Sequence, residues 1–341
     1  MNDPYVIAEI GVNYYDISDR WGISLLDAAK FMIVECRDSG SNAVKFQSYK
    51  ANKIVSKNSP AYWDTSFETT TSQYELFKKY DSFGEKDYKA LSEFCNLIGI
   101  DFMCTPFDLE SVDYLDALVK CHKVSSSDIT NYPLLKKVGR TGKKVILSTG
   151  ASTMTEIAGA IDVIESTGNT DIVLLHCVLN YPTLNENANL GMIEKLKEFG
   201  KEVGYSDHTM PDDSMLILTT AVMMGSTWIE KHFTTDKTLP GNDHYHSMDA
   251  NDLEQFISNL KLIQSISKEG DLGTQDLART NARRSVYTRH SLKGGSILSS
   301  EDLICKRPAT GICARKFEDI LGMTLVADME EDTVLTEDLL K

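Results

Sequence analysis

Short apolar runs that alternate with longer amphipathic stretches constrain the fold of this chain more than any other feature. Such alternation is typical of βα units, which assemble into a parallel sheet. The runs predict strands at Tyr5–Ile10, Ala43–Phe46, Ile100–Cys104, Lys123–Ser125, Lys144–Leu147, Ile172–Leu175, Lys201–Tyr205 and Trp228–Glu230. Eight such units before residue 270 fit an α/β chain folded as a TIM (β/α)8 barrel, although a doubly wound sheet has the same periodicity.

Polar residues lie at the end of every predicted strand. In chain order they are Glu9 and Asn13, Lys45 and Gln47, Thr105, Ser125 to Asp128, Ser148 to Gly150, His176 and Tyr181, Ser206 to His208, and Lys231 with His232. The carboxyl ends of barrel strands meet on one face, where barrel enzymes build their active sites. We therefore expect these side chains to form a single site.

The composition limits the class of partner. The 341 residues are 42% hydrophobic and 25% charged, as in ordinary globular proteins, and the net charge is −15. This charge argues against nucleic acid and against a membrane surface as the main partner, because both attract basic proteins. The chain has no apolar run of about 18 residues, no signal-peptide pattern and seven irregularly spaced cysteines, so we expect a cytoplasmic protein with reduced thiols.

The character of the chain changes near residue 268. Residues 1–267 carry the βα pattern, residues 268–283 read as a linker, and residues 284–341 form short β-like runs separated by turns. The last segment predicts a small, mostly β domain of a size that is marginal alone. Within the barrel, Pro60–Tyr80 is an insertion that predicts irregular surface structure, with a lid or a partner-facing loop as the alternative.

Two histidines are the strongest metal candidates. His208 and His232 follow consecutive predicted strands, which are neighbours in a barrel. Neutral imidazoles are common ligands of transition metals, and Glu9 is a carboxylate suited to complete the set. Asp207 or Glu230 is expected to orient an imidazole by a hydrogen bond to the ring nitrogen that does not bind the metal.

Two lysines and a hydroxyl predict an anion site at the same face. Lys45 and Lys123 lie on otherwise apolar strands, and Ser148 ends a third. Because buried lysines need anionic partners, these residues favour a phosphate or carboxylate ligand. Two alternatives remain open: either lysine acts as a Schiff-base nucleophile, as in barrel aldolases, or either is a salt-bridged structural residue.

The ordered motifs resemble one known enzyme family. AEIGVN, VKFQ, CTPFD, NYPLL, ILSTG, LLHC with YPT, GYSDHT, IEKHFT and PGNDHYHS occur in this order. Together they resemble the N-acetylneuraminate (sialic acid) synthase family, including its legionaminic and pseudaminic acid synthase branches. The segments LKGGSILSSEDLICKRPATGI and LGMTLVADMEEDTVLTEDL resemble the antifreeze-like (SAF) domain that ends those enzymes.

The resemblance implies a reaction and a set of roles. Family members condense phosphoenolpyruvate with an open-chain N-acylated mannosamine-type sugar, depend on Mn²⁺ or Mg²⁺, and form homodimers in which each SAF domain covers the partner's barrel. Roles implied by position are Lys45, Gln47, Thr105, Lys123, Ser148 and Ser206 for phosphoenolpyruvate; Tyr15, Tyr181, Asp243 and Arg307 for the sugar; Lys45, Lys123 and Asp128 for catalysis; and His208, His232 and Glu9 for the metal.

Several positions depart from the family pattern on the sugar side. Tyr14, Tyr15 and Asp16 replace the usual His, Asn or Glu, and Gly, while Leu179 and Asn242 replace a polar residue and a proline. The usual Gly-Ser-Gly-Glu is Ser125 to Asp128. These changes predict an altered sugar acceptor with retained chemistry; a sugar-acid sensor without turnover is the remaining alternative.

Overall fold

The chain divides into two compact units. The computed structural model describes residues 3–63, 65–66, 68–241 and 243–341. The first unit spans Met1–Ser267 and the second Lys268–Lys341.

The first unit is a nearly closed barrel of parallel strands. These strands are β1 (Tyr5–Gly11), β2 (Ala43–Ser48), β3 (Asp101–Pro106), β4 (Cys121–Val124), β5 (Lys144–Ser148), β6 (Ile172–Cys177), β7 (Glu202–Asp207) and β8 (Trp228–His232). Their hydrogen-bonded order is β3-β2-β1-β8-β7-β6-β5-β4, and the end strands β3 and β4 lie side by side. The predicted barrel is therefore confirmed, and the doubly wound alternative was wrong.

Helices surround this sheet. In the first unit they are α1 (Tyr14–Trp21), α2 (Leu25–Asp38), α3 (Ala51–Ile54), α4 (Gln73–Lys79), α5 (Glu85–Ile98), α6 (Leu109–Asp116), α7 (Tyr132–Gly139), α8 (Met154–Glu165), α9 (Met192–Lys197), α10 (Leu216–Met223) and α11 (Ala250–Ile266). Local sequence sets several boundaries: Thr153 and Glu156 form a capping box that begins α8, and Gly99 ends α5 at a φ of 79°. Among the described residues, no helix is long and apolar enough to cross a membrane.

Side-chain alternation separates the barrel interior into an apolar floor and a polar mouth. Successive side chains of a strand point to opposite faces of the sheet. The floor is a buried cluster of Ile7, Ala43, Met103, Cys121, Ile146, Val173 and Leu175. On β1, β2 and β4 the residues two positions after Ile7, Ala43 and Cys121 are Glu9, Lys45 and Lys123. These three predicted polar residues therefore stand above the floor, towards the carboxyl ends of their strands.

Helices formed where the sequence pattern predicts none. Tyr14–Trp21 is helical directly after β1, and the insertion contains α4 after an N-cap at Ser72. Tyr14 is fully buried and packs edge-on against Phe46. Its ring therefore belongs to the core, although Tyr14 lies outside every predicted strand and helix. Tertiary burial, and not helical periodicity, determines this segment.

The second unit has its own small core. Its helix is α12 (Asp276–Ala282), within the segment predicted as a linker, and its antiparallel pair is β9 (Ser285–Thr288) with β10 (Leu303–Lys306). The buried cluster consists of Val286, Leu298, Leu303, Ile312, Ile320, Leu325, Met329 and Leu335. These residues come from the whole segment, so its many turns wrap one apolar centre.

We predict that Gly204→Ala destabilises the barrel at the β7–β8 contact. A Cβ atom there would lie 2.3 Å from the carbonyl oxygen of Trp228, and backbone cannot give way as a side chain does. Overpacking of this kind costs about 1–3 kcal/mol. Urea denaturation should show a lower midpoint for Gly204→Ala. Gly191→Ala is the control, because nothing lies within 4 Å of the added atom. It should shift the free energy of unfolding by less than about 0.5 kcal/mol. Equal midpoints for the two variants would contradict this packing account.

Candidate active site at the barrel mouth

Two adjoining cavities open at the polar end of the barrel. The inner one, of about 50 Å³, is lined by residues that include Glu9, Lys45, Thr105, Lys123, Ser148, Ser206, His208 and Glu230. The outer one, of about 480 Å³, is lined by residues that include Tyr62, Gln73, Phe77, Asp128, Asn131 and Asp243. Gln47, Tyr181 and His232 line both cavities. The mouth therefore has a small charged chamber beneath a chamber large enough for a sugar.

A network of buried charges occupies the inner chamber. The Lys45 ammonium lies 2.5 Å from a carboxylate oxygen of Glu9 and 3.8 Å from Glu230. Lys123 lies 3.4 Å from the same oxygen of Glu230, which also accepts a hydrogen bond of 3.1 Å from Ser206. All four charged residues are at least 95% buried. Each lysine charge is thus balanced within the protein, and Glu230 is shared by both.

The two lysines are electrostatically different. Burial alone would lower the pKa of Lys45, but the carboxylates of Glu230 and Glu9 outweigh it and raise that pKa above its usual value. Burial lowers the pKa of Lys123, and Glu230 offsets this only in part. Lys45 is therefore a firmly charged cation, whereas Lys123 is the lysine whose amine deprotonates more readily.

One hydroxyl in the inner chamber has no protein partner. The Ser148 Oγ is buried and makes no hydrogen bond, whereas Thr105 accepts one of 3.2 Å from Lys45. A buried polar group without a partner is uncommon in native proteins and calls for an explanation such as a ligand or water. Ser148 is therefore a donor available to a bound anion.

Three imidazoles and a carboxylate gather beside this chamber. The ring centroids of His208 and His232 are 5.5 Å apart, and His246 lies 4.8 Å from His232. One ligand atom each from His232, Asp243 and His246 lies within 4.8 Å of the others. Sequence reasoning missed His246, because it belongs to a loop; the loop is aligned by hydrogen bonds between Met248 and the end of β8, which bring it against His232.

The protonation of these groups follows from burial. Burial and the neighbouring charges of His246 and His208 lower the pKa of His232 well below its usual value. Burial likewise lowers the pKa of His246, and burial together with Glu9 raises the pKa of Asp243 to about 6. His208 Nδ1 lies 2.7 Å from the carbonyl oxygen of Val178, which leaves Nε2 for another partner when Nδ1 carries the proton.

The supporting carboxylates do not lie where the sequence suggests. Glu9 lies against Lys45 and accepts a 2.8 Å hydrogen bond from Gln47, so both of its oxygens face cationic or donor groups. The prediction that Asp207 or Glu230 orients an imidazole was wrong. Asp207 points out of the barrel, where Lys231 and the Tyr205 hydroxyl bind it, and Glu230 pairs with the two lysines. The backbone carbonyl of Val178 orients His208 instead.

The sugar-side residues separate into two groups. Asp128, Tyr181 and Asp243 line the outer chamber. Tyr15 lies elsewhere: it is packed on α1, and its hydroxyl accepts hydrogen bonds from the backbone N–H groups of Ser82 (3.0 Å) and Phe83 (3.3 Å). Arg307 follows β10 in the second unit, and Asn242 lies outside the described residues.

Comparison with known proteins identifies the family. Residues 32–271 match the model of the NeuB family, and residues 283–341 match that of the SAF domain. The chain belongs to the NeuB family. Its predicted resemblance to sialic acid synthases with a terminal SAF domain is thereby confirmed.

Curated relatives and solved structures agree with this assignment. The chain is 37% identical to the N,N'-diacetyllegionaminic acid synthase of Legionella pneumophila over 97% of this chain and 93% of that protein. It is 36% identical to the N,N'-diacetyllegionaminic acid synthase of Campylobacter jejuni, over 99% of this chain and the whole of that enzyme. The crystal structure of the N-acetylneuraminic acid synthetase of Leptospira borgpetersenii superposes with a TM-score of 0.68 at 31% identity, covering 81% of this chain and 90% of that one.

We predict that Tyr15 acts on stability and not on the sugar. Tyr15→Phe removes an acceptor for two backbone N–H groups, and an unsatisfied buried donor costs about 1–3 kcal/mol. Urea denaturation should show this loss, while the KM for the N-acylated sugar, measured by phosphate release, should be unchanged. Tyr132→Phe, at a half-exposed tyrosine, is the matched control and should change neither quantity. A raised sugar KM with unchanged stability would instead place Tyr15 at the substrate.

Proposed function

We propose that the chain is a nonulosonic (sialic-acid-like) acid synthase. It condenses phosphoenolpyruvate with an N-acylated mannosamine-type sugar, either N-acetylmannosamine or a 2,4-diacetamido-trideoxyhexose, and releases phosphate and a nine-carbon α-keto acid. Two relatives named N,N'-diacetyllegionaminic acid synthase, aligned over nearly the whole chain, support the second type of acceptor.

One observation carries the proposal: the small charged chamber, which contains two lysines, adjoins the larger polar one and shares lining residues with it. Lys45, Lys123 and the unpartnered Ser148 hydroxyl suit the phosphate and carboxylate of phosphoenolpyruvate. Asp128 and Asp243 suit sugar hydroxyls in the outer chamber. Residues that line both cavities lie where the two substrates would meet, so the arrangement favours joining two bound molecules.

The proposed chemistry joins the enol carbon to the aldehyde. C3 of phosphoenolpyruvate attacks the aldehyde carbon, whose oxygen becomes a hydroxyl after taking a proton. Water adds at C2, and the tetrahedral intermediate breaks its C2–O bond to release phosphate and leave the keto group. Lys45 and Lys123 hold the anion through this change, and fixed positive charges stabilise the negative charge that develops on it.

The residues at the mouth fit a divalent ion, which we propose to be Mn²⁺ or Mg²⁺. His208 and His232 would hold it, and the His232 Nδ1 atom is buried without a hydrogen-bond partner, which suits an atom that binds a metal. Such an ion would supply Lewis-acid polarisation of the sugar aldehyde. Glu9 would act through Lys45 and Gln47, since its carboxylate faces them.

The family resemblance supports a homodimer and a role for Arg307. We propose that Arg307 of one subunit reaches the acyl group of the sugar bound by its partner. Arg307→Ala should then raise the KM for the sugar, with little effect on that for phosphoenolpyruvate. Light scattering should give twice the mass of one chain; a monomer with full activity would contradict the dimer.

The function is tested by incubating the full chain with Mn²⁺, phosphoenolpyruvate and a panel of N-acylated hexosamines. Phosphate release is measured first, and mass spectrometry then identifies the product and with it the acceptor. Release that requires one particular sugar is the expected result. No release with any sugar would overturn the proposal, and tight sugar-acid binding without turnover would favour a sensor.

We predict that Ser148→Ala weakens phosphoenolpyruvate binding selectively. A hydrogen bond to a charged group is worth about 1.5–3 kcal/mol, which corresponds to roughly a tenfold or larger rise in KM for phosphoenolpyruvate. Stability should change little, because the hydroxyl has no protein partner. Ser226→Ala removes another buried hydroxyl without a partner, outside both cavities, and should leave KM unchanged. Equal KM values for the two variants would exclude Ser148 from the anion site.

We predict that Asp128 supports proton transfer on the sugar side. Burial raises the pKa of Asp128, although the Asn131 hydrogen bond opposes this, so its carboxylate loses activity as a base at a higher pH than an ordinary aspartate does. The acid limb of the kcat profile should therefore lie at a higher pH than an ordinary aspartate would produce, and it should flatten in Asp128→Asn. Asp213→Asn, at an exposed aspartate, should keep the wild-type profile. An unchanged profile in Asp128→Asn would contradict the role.

A Schiff-base pyruvate aldolase or lyase is the second candidate, favoured by one observation. Burial lowers the pKa of Lys123, and an amine with a lowered pKa is the form that attacks carbonyl groups. Borohydride reduction in the presence of pyruvate should trap a covalent adduct on Lys123 if this reaction operates. Absence of an adduct, together with loss of activity in EDTA, would favour the synthase.

A further inference from the structure

His246 differs from every other histidine of the mouth in the state of its ring nitrogens. Its side chain is 0% exposed, and neither Nδ1 nor Nε2 has a hydrogen-bond partner. By contrast, both nitrogens of the neighbouring His244 are engaged, by Thr234 at 2.8 Å and by Asp16 at 3.0 Å. A buried polar group without a partner destabilises a protein, so a partner for His246 is expected.

The surrounding atoms face His246 at the spacing of groups that share a cation. Its Nε2 lies 4.0 Å from one carboxylate oxygen of Asp243, and the unpartnered Nδ1 of His232 lies 3.7 Å from the other. Both separations are too long for hydrogen bonds. Two ligands of one ion are typically separated by about 3–4 Å when each bond is about 2 Å long.

The three rings also surround a common point. The centroid separations of His208, His232 and His246 are 5.5, 4.8 and 6.2 Å. A circle through three points with those separations has a radius of about 3.2 Å, close to the distance of roughly 3.2 Å between an ion and the centroid of an imidazole bound at about 2.1 Å. The ring centroids are therefore spaced as around one ion, and the ligand atoms that lie within 4.8 Å of one another are those of His232, Asp243 and His246.

We propose that His246 is a third imidazole ligand of the metal, beside His208 and His232, with Asp243 as a fourth, oxygen ligand. This inference rests on the proposed function, which places a metal at the first two histidines. It changes the chemistry of the site, because three nitrogen ligands favour a transition-metal ion over Mg²⁺, which prefers oxygen ligands and retains waters.

The first test counts the ligands directly in the wild-type chain. Metal is removed with a chelator, one equivalent of Mn²⁺ is added, and pulsed EPR measures the directly coordinated nitrogens. Coupling to three imidazoles is the expected result. Coupling to two would overturn the inference while leaving the proposed metal in place, and no coordinated nitrogen would overturn the metal assignment itself.

The second test compares affinities for Mn²⁺ by calorimetry. His246→Phe keeps an aromatic ring of similar size but no ligand atom, and its Kd should rise at least about tenfold, a loss that even residues supporting a metal ligand produce. His246→Gln checks the result in case the phenylalanine variant misfolds. His122→Gln changes another buried histidine, which binds Asp116 and lines neither cavity, and should keep the wild-type Kd. An unchanged Kd in both His246 variants would refute the third ligand.

Discussion

The barrel sheet, in which alternate side chains of each strand face the interior, is the constraint on which the site depends. In the floor of the barrel, the inward positions hold Ile7, Ala43 and Cys121, which exclude water from the centre. Two residues later the same strands present Glu9, Lys45 and Lys123. A side chain of this polar layer has no route to bulk solvent except through the mouth, so its charge must be matched by neighbours or by ligands.

This matching explains the charge pattern of the inner chamber. Two lysines face two glutamates, and Glu230 is shared between Lys45 and Lys123. Removing one partner from a buried pair costs about 3–5 kcal/mol, because the remaining charge is left uncompensated. The network therefore holds both ammonium groups in place before substrate arrives. A bound anion would add acceptors on the open side of the lysines, where Ser148 supplies a further donor.

The strands and the polar mouth could be predicted because both follow from a period of two and from chain order. The roles of individual carboxylates could not. Asp207 ends β7 and Glu230 lies within β8, each next to a histidine or lysine in the sequence, yet Glu230 points inward to Lys123 and Asp207 outward to Lys231. Strand register decides this, and one residue of displacement reverses it.

Contacts between segments that are distant in the sequence could not be predicted either. His246 belongs to a loop that the pairing of Met248 with β8 carries to His232, and no periodic pattern marks such a loop. Tyr15 was expected at the sugar because of its position in a motif, but helix α1 turns it to the backbone of Ser82 and Phe83. In the insertion, Tyr62 and Gln73 line the outer chamber, which a composition rich in Thr, Ser and Tyr does not indicate.

The central claim is that one mouth joins phosphoenolpyruvate to a sugar by breaking a carbon–oxygen bond. The most direct measurement uses phosphoenolpyruvate isotopically labelled at the oxygen that bridges C2 and phosphorus, with the sugar that supports phosphate release. Mass spectrometry of the released phosphate should find the label in phosphate, because the C2–O bond is the one that breaks. Unlabelled phosphate would show cleavage of the phosphorus–oxygen bond and would contradict the account.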